Sequence, residues 1–100
     1  MTITENKTPV SVELVITGRL DTGTAPELEV KLKEVSKDTQ TLYLNMKDVN
    51  YISSSGLRVV LLAHKLMLPT GGKMIIKSPS EFCKQVLSAT GMDSILTVEA

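Results

Sequence analysis

Leu42-Tyr43-Leu44-Asn45-Met46, Ser53-Ser54-Ser55-Gly56-Leu57 and Lys73-Met74-Ile75-Ile76-Lys77 lie in that order in the stretch on which the fold turns. The first segment is strand-like, and the polar residues Lys47 to Asn50 predict a loop that carries the chain over the sheet's edge towards Tyr51 and Ile52. From Ser55 to Leu68 the sequence is strongly helix-forming, and it is closed by Pro69 and Gly71-Gly72, which do not continue a helix comfortably. The third segment is a short apolar run with charged ends, typical of an inner strand. Strand, helix and strand in succession favour an α/β layer in which several strands run parallel and helices cover the sheet.

The flanks extend this pattern. Val10, Val12, Leu14 and Ile16 alternate with Ser11, Glu13 and Thr17, which predicts a strand that buries one face; Val15 suggests that the other face is partly covered. Thr24-Ala25-Pro26-Glu27 has the form of a capping box, and Ala25, Leu28, Leu32 and Val35 follow at helical spacing, so an amphipathic helix is expected over about Thr24 to Ser36. Ser78-Pro79-Ser80-Glu81 reads as a second capping box, opening a helix with Phe82, Cys83, Val86, Leu87 and Ala89 on its apolar side and Gly91 at its end. Ile95 to Val98 is a weak final strand.

Composition narrows the function classes. A chain of 100 residues, 42% of them apolar, supports one core and not two. Eleven basic and eleven acidic residues are scattered along it, so no basic face is available for nucleic acid or anionic lipid. Cys83 is alone, which excludes an internal disulfide and a multi-thiolate metal site, and fits a reducing compartment. With no secretion-signal pattern at Met1 to Lys7 and no apolar run of about 20 residues, a cytoplasmic protein without membrane insertion is expected.

On a helical wheel, Leu57, Val59, Val60, Ala63, Leu66 and Met67 fall in one broad arc, the core face. Arg58 and Lys65 fall opposite, together with Leu61 and Leu62, so two leucines stand where solvent is expected. Either another helix or the chain terminus covers them, or they form an apolar centre with a polar rim, as a partner site needs.

A serine before a helix is ordinarily a cap. Three consecutive serines followed by glycine exceed that need, and glycine lets a partner approach the helix end closely. A phosphate at this place is tolerated by the helix N-terminus, while its charge of about −1.5 to −2 is felt by whatever docks there. Nucleophilic catalysis is disfavoured, because the only histidine, His64, is ten residues along the same helix, about 15 Å from Ser54. Nothing resembles a Gly-x-Ser-x-Gly elbow or a phosphate-binding loop, so no cofactor is expected and the chain is read as a binding module and not an enzyme.

Taken together, Thr17-Gly18-Arg19-Leu20-Asp21, Thr24-Ala25-Pro26-Glu27-Leu28, Leu42 to Met46, Asp48-Val49-Asn50-Tyr51-Ile52, the serine run, Gly71-Gly72 and Thr90-Gly91-Met92 resemble, in order and spacing, the STAS domains and among them the bacterial anti-sigma factor antagonists. The resemblance spans nearly the whole chain. It implies one α/β domain over residues 1–100, a mixed central sheet of about four to five strands packed against about three to four α-helices. It implies phosphorylation of Ser54, two positions before Gly56, with Ser55 as the adjacent helix-opening serine. Asp21 maps to an acidic residue implicated in contacts with the kinase or its nucleotide; a turn or cap role is the alternative. Asp21, Thr22, Ser53, Ser55, Gly56, Arg58, Leu61 and Leu62 are the expected partner-binding residues.

The chain departs from the family at Ser53, where many members carry aspartate, and at Arg58, where many carry a small residue. Arg58 lies one helical turn from Ser54, within reach of a phosphate or of an acidic partner surface. The partners implied are an anti-sigma factor serine kinase, which uses its own ATP and magnesium, and a PP2C-type phosphatase that reverses the modification. A regulatory subunit of a lipid-transport ATPase complex, or a component of a larger signalling assembly, is the alternative implied by the same fold.

Overall fold

Apolar alternation builds the sheet. In the computed structural model, which describes residues 1–100, β1 (Thr2–Lys7) pairs antiparallel with β2 (Ser11–Leu20). Beyond β2 lie β3 (Thr41–Ile52), β4 (Lys73–Lys77) and β5 (Thr97–Glu99), each parallel to its neighbour. Val12 pairs with Leu42 and Leu42 with Met74, while Leu14 pairs with Leu44 and Leu44 with Ile76, so these side chains share one face. The helices α1 (Ala25–Val35), α2 (Ser54–Met67) and α3 (Glu81–Thr90) bury Leu28, Leu32, Val60, Ala63, Cys83 and Leu87 in the same cluster, giving the expected mixed α/β architecture. Each leucine so buried contributes about 1.5–3 kcal/mol. The opposite face mixes apolar and polar residues: Val15, Tyr43 and buried Ile75 lie on it, and beside them Asn45 donates to Glu13 at 3.0 Å and Lys77 lies 3.3 Å from the same carboxylate. Those contacts, the Asn45 hydrogen bond first, hold the Glu13 carboxyl below its ordinary value.

Several local expectations are corrected. Residues Lys47 to Asn50 are not a loop but part of β3. Between Val15 and Thr17, and again between Gly18 and Arg19, β3 carries one more residue than β2, so the strand is bulged twice. Each bulge lengthens the apolar step from two to three, and Met46, Val49 and Ile52 stay on the core side despite the polar residues between them. Strand β1 leaves no apolar alternation in the sequence because only Ile3 is even half-buried; it is an edge held by backbone pairing.

Thr24 does not cap α1 with its side chain. Its hydroxyl accepts from the Asp21 N–H and donates to the Arg19 carbonyl, both at 2.8 Å, which ties it back to β2. At α3 the cap is Ser80, whose Oγ accepts from the Cys83 N–H at 3.1 Å; Ser78 instead takes a left-handed φ of 50°. Ser80 also satisfies carbonyls of β3 that lie past the end of β4, donating through N–H to Met46 at 3.1 Å and through Oγ to Val49 at 2.7 Å. Phe82 and Ala89, expected on the apolar side of α3, are exposed. The final strand begins at Thr97 instead of Ile95, after a 3-10 turn over Met92–Ser94.

Helix α2 starts at Ser54, one residue before its expected position. It ends at Met67, where a 3-10 turn, Leu68–Thr70, leads into the left-handed Gly71. Its buried residues, Gly56, Val59, Val60, Ala63 and Met67, follow the expected core arc, while Leu57 and Leu66 are half-buried against the core.

Candidate functional site

The parallel strands β2 and β3 end side by side, and the chain turns into α2 at that end of the sheet. The Ser53 N–H donates to the Leu20 carbonyl at 2.9 Å, which fixes the helix start against the end of β2. Ser53 is extended (φ −89°, ψ 173°) and its Oγ accepts from the Gly56 N–H at 3.2 Å. The helix-opening cap is therefore Ser53, not Ser55. Ser55 is the second helical residue; it is half-buried, and its hydroxyl shares a solvent-exposed 3.2 Å hydrogen bond with Thr22 Oγ1 across the gap to the loop before α1. Ser54, the first helical residue, is exposed, and its hydroxyl makes no hydrogen bond within the chain.

Gly56 is buried, and its lack of a side chain serves the chain itself. A Cβ there would stand 2.6 Å from the Leu20 carbonyl oxygen and 2.9 Å from Leu20 Cγ, so glycine is what lets α2 close onto the end of β2. The expectation that Gly56 opens the helix end to a partner gives way to this packing role.

Asp21 organises the facing turn. Its Oδ1 accepts from the Gly23 N–H at 3.0 Å and from the Thr24 N–H at 3.1 Å, an Asx turn. These hydrogen bonds, the Thr24 backbone first, hold its carboxyl below the ordinary aspartate value. The geometry thus gives Asp21 a turn role and leaves its other oxygen, Oδ2, 3.5 Å from Arg19 Nε. Arg19 in turn lies over the Tyr51 ring, 4.2 Å from its centroid, and Tyr51 meets exposed Phe82 at 6.0 Å between ring centroids. Arg19, Tyr51 and Phe82 were absent from the expected site. Spacing could not reveal them, because the β3 bulges and the start of α3 bring them together.

On the other side of Ser54 a groove of about 450 Å³ runs between α1 and α2. Thr22, Ala25, Pro26 and Glu29 form one wall; Ser55, Arg58, Leu61, Leu62 and Lys65 form the other. Leu61 packs partly against the core and Leu62 is half-buried, so α1 covers both leucines only in part. Arg58 is exposed and takes part in none of the chain's ion pairs. His64 stands ten positions along the same helix from Ser54, about 15 Å on, beyond the reach of a general base.

Comparison with known proteins follows the same outline. The sequence profile of the STAS domain matches residues 2–100. The anti-sigma-B factor antagonist of Bacillus subtilis (strain 168) is 29% identical over 89 residues, which cover 89% of this chain and 82% of that protein. Among solved structures, the anti-sigma factor antagonist SpoIIAA in its unphosphorylated form superposes with a TM-score of 0.84 at 19% identity, covering 99% of this chain and 89% of SpoIIAA. The phosphorylated form, described as a Bacillus cell fate determinant, gives 0.78 at 20% identity, covering 99% and 91%. A sulfate transporter family protein from Wolinella succinogenes gives 0.76 at 19% identity, covering 87% of this chain and 74% of that one. At these identities the structural likenesses speak for the fold.

Proposed function

The chain belongs to the STAS domain family, and from that premise we propose that it is an anti-sigma factor antagonist, working in the cytoplasm and switched by phosphorylation of Ser54. Unmodified, it binds an anti-sigma factor that is also a serine kinase and so frees a sigma factor. Modified, it no longer binds, until a PP2C-type phosphatase restores it.

The observation that supports Ser54 over its neighbours is the division of labour among the three hydroxyls. Ser53 is occupied as the cap and Ser55 is bonded to Thr22, while Ser54 is exposed and free. A phosphate on Ser54 sits at the positive end of α2, so the domain tolerates it without unfolding. A partner docked over the same helix end meets a new charge and added bulk, and the cost falls on the complex. Asp21, Thr22, Ser53, Ser55, Arg58, Leu61 and Leu62 are proposed to form the surface around it. Gly56 contributes by letting α2 close on Leu20.

Incubation with the cognate kinase and ATP, followed by mapping of the product by mass spectrometry, tests the assignment. Phosphate is expected on Ser54 alone. Phosphate on Ser53 or Ser55 instead, or none with the cognate kinase, would overturn it.

A further inference from the structure

We propose that Arg58 is the counter-charge a phosphate on Ser54 recruits, so that the phosphorylated state carries an intrahelical ion pair that reaches the groove wall at Arg58. The inference rests on the proposed modification of Ser54. Ser54 and Arg58 are four residues apart in one continuous helix, a spacing that puts their Cβ atoms about 6 Å apart on the same face. Both are exposed, and Arg58 is engaged with no carboxylate. Glu29 lines the same groove from α1, and the Asp21 carboxylate, in the turn before α1, is held by the Thr24 N–H and by Arg19.

The order of the pair is also the favourable one, an anion one turn N-terminal to a cation. The first turn of α2 carries no acidic residue, so an unmodified Ser54 leaves Arg58 without an anion on its own helix turn. The guanidinium matches phosphate oxygens with two parallel N–H donors, a geometry a lysine ammonium does not reproduce. Pairing holds the phosphate against α2. It also neutralises the Arg58 charge on the groove wall, so that Lys65 is the cation left there.

The test installs phosphoserine at position 54 directly, by genetic encoding, so that no kinase is needed, and follows the second phosphate ionisation by 31P NMR across pH. An adjacent cation favours the dianion, so Arg58→Gln is expected to raise the midpoint by about 0.2–0.4 pH unit. Arg58→Lys should recover part of the difference, Lys65→Gln should leave the midpoint unchanged, and the Arg58 effect should shrink in high salt. Arg19, Asp21 and Glu29, the other charges facing this end of α2, are the same in all these forms. Equal midpoints in the parent and Arg58→Gln proteins would overturn the inference while leaving Ser54 phosphorylation intact. A shifted midpoint together with no kinase acting on Ser54 would sustain the pairing and overturn the proposed function.

Discussion

A Ser54→Asp variant is expected to bind the cognate anti-sigma factor about a hundredfold more weakly than Ser54→Ala, with the unmodified parent matching the alanine form. The difference arises in the complex. In the free protein, position 54 is the exposed first residue of α2, where a carboxylate interacts favourably with unpaired N–H groups and the helix dipole. Thermal melting of the two variants should therefore agree within a few degrees. Under a docked partner the same carboxylate is stripped of water and meets whatever the partner placed against a neutral hydroxyl. Isothermal titration of each variant with the anti-sigma factor measures the effect, and equal affinities would sink the switch.

Gly56→Ala should be the most damaging single-atom change at the site, destabilising the protein by about 2 kcal/mol. Alanine is the better helix former, which by itself favours the variant by up to about 1 kcal/mol. Against that, the added methyl stands 2.6 Å from the Leu20 carbonyl oxygen and 3.2 Å from Ile52 Cγ2, between two strand ends that cannot give as a flexible side chain would. The start of α2 must lift away, loosening the Ser53 N–H bond to Leu20 and the Thr22–Ser55 bridge. For a domain of this size the loss corresponds to a fall in melting temperature of about 10 °C. A urea midpoint equal to or above the parent's would show that the close approach of α2 to Leu20 is not a constraint.

Long periodic segments were legible in the chain: the alternation of β2, the apolar arc of α2 and the strand at Lys73 to Lys77 all stand where pattern places them. What periodicity missed has particular causes. The second half of β3 breaks the period of two because two bulges each insert a residue. The exposed strand β1 has too little buried surface to leave a pattern. Thr24 and Ser78 carry capping signatures that the fold leaves unused, for a different reason. A capping signature is local, whereas Thr24 is claimed by Arg19 and Asp21, and Ser80 wins the cap of α3 because it also serves carbonyls of β3. Within the serine run, sequence could point to position 54 only through family resemblance. The distinct duties of Ser53 and Ser55 depend on Gly56 N–H and Thr22, contacts that exist only once α2 has docked beside β2.

Reconstituting the exchange itself tests the central claim most directly. A fluorescently labelled sigma factor is bound to the anti-sigma factor, and this protein is added either unmodified or carrying phosphoserine at position 54. The unmodified protein is expected to release the sigma factor in proportion to its concentration, and the phosphorylated protein to leave the complex intact until a PP2C-type phosphatase is added. Release by both forms alike, or by neither, would contradict it.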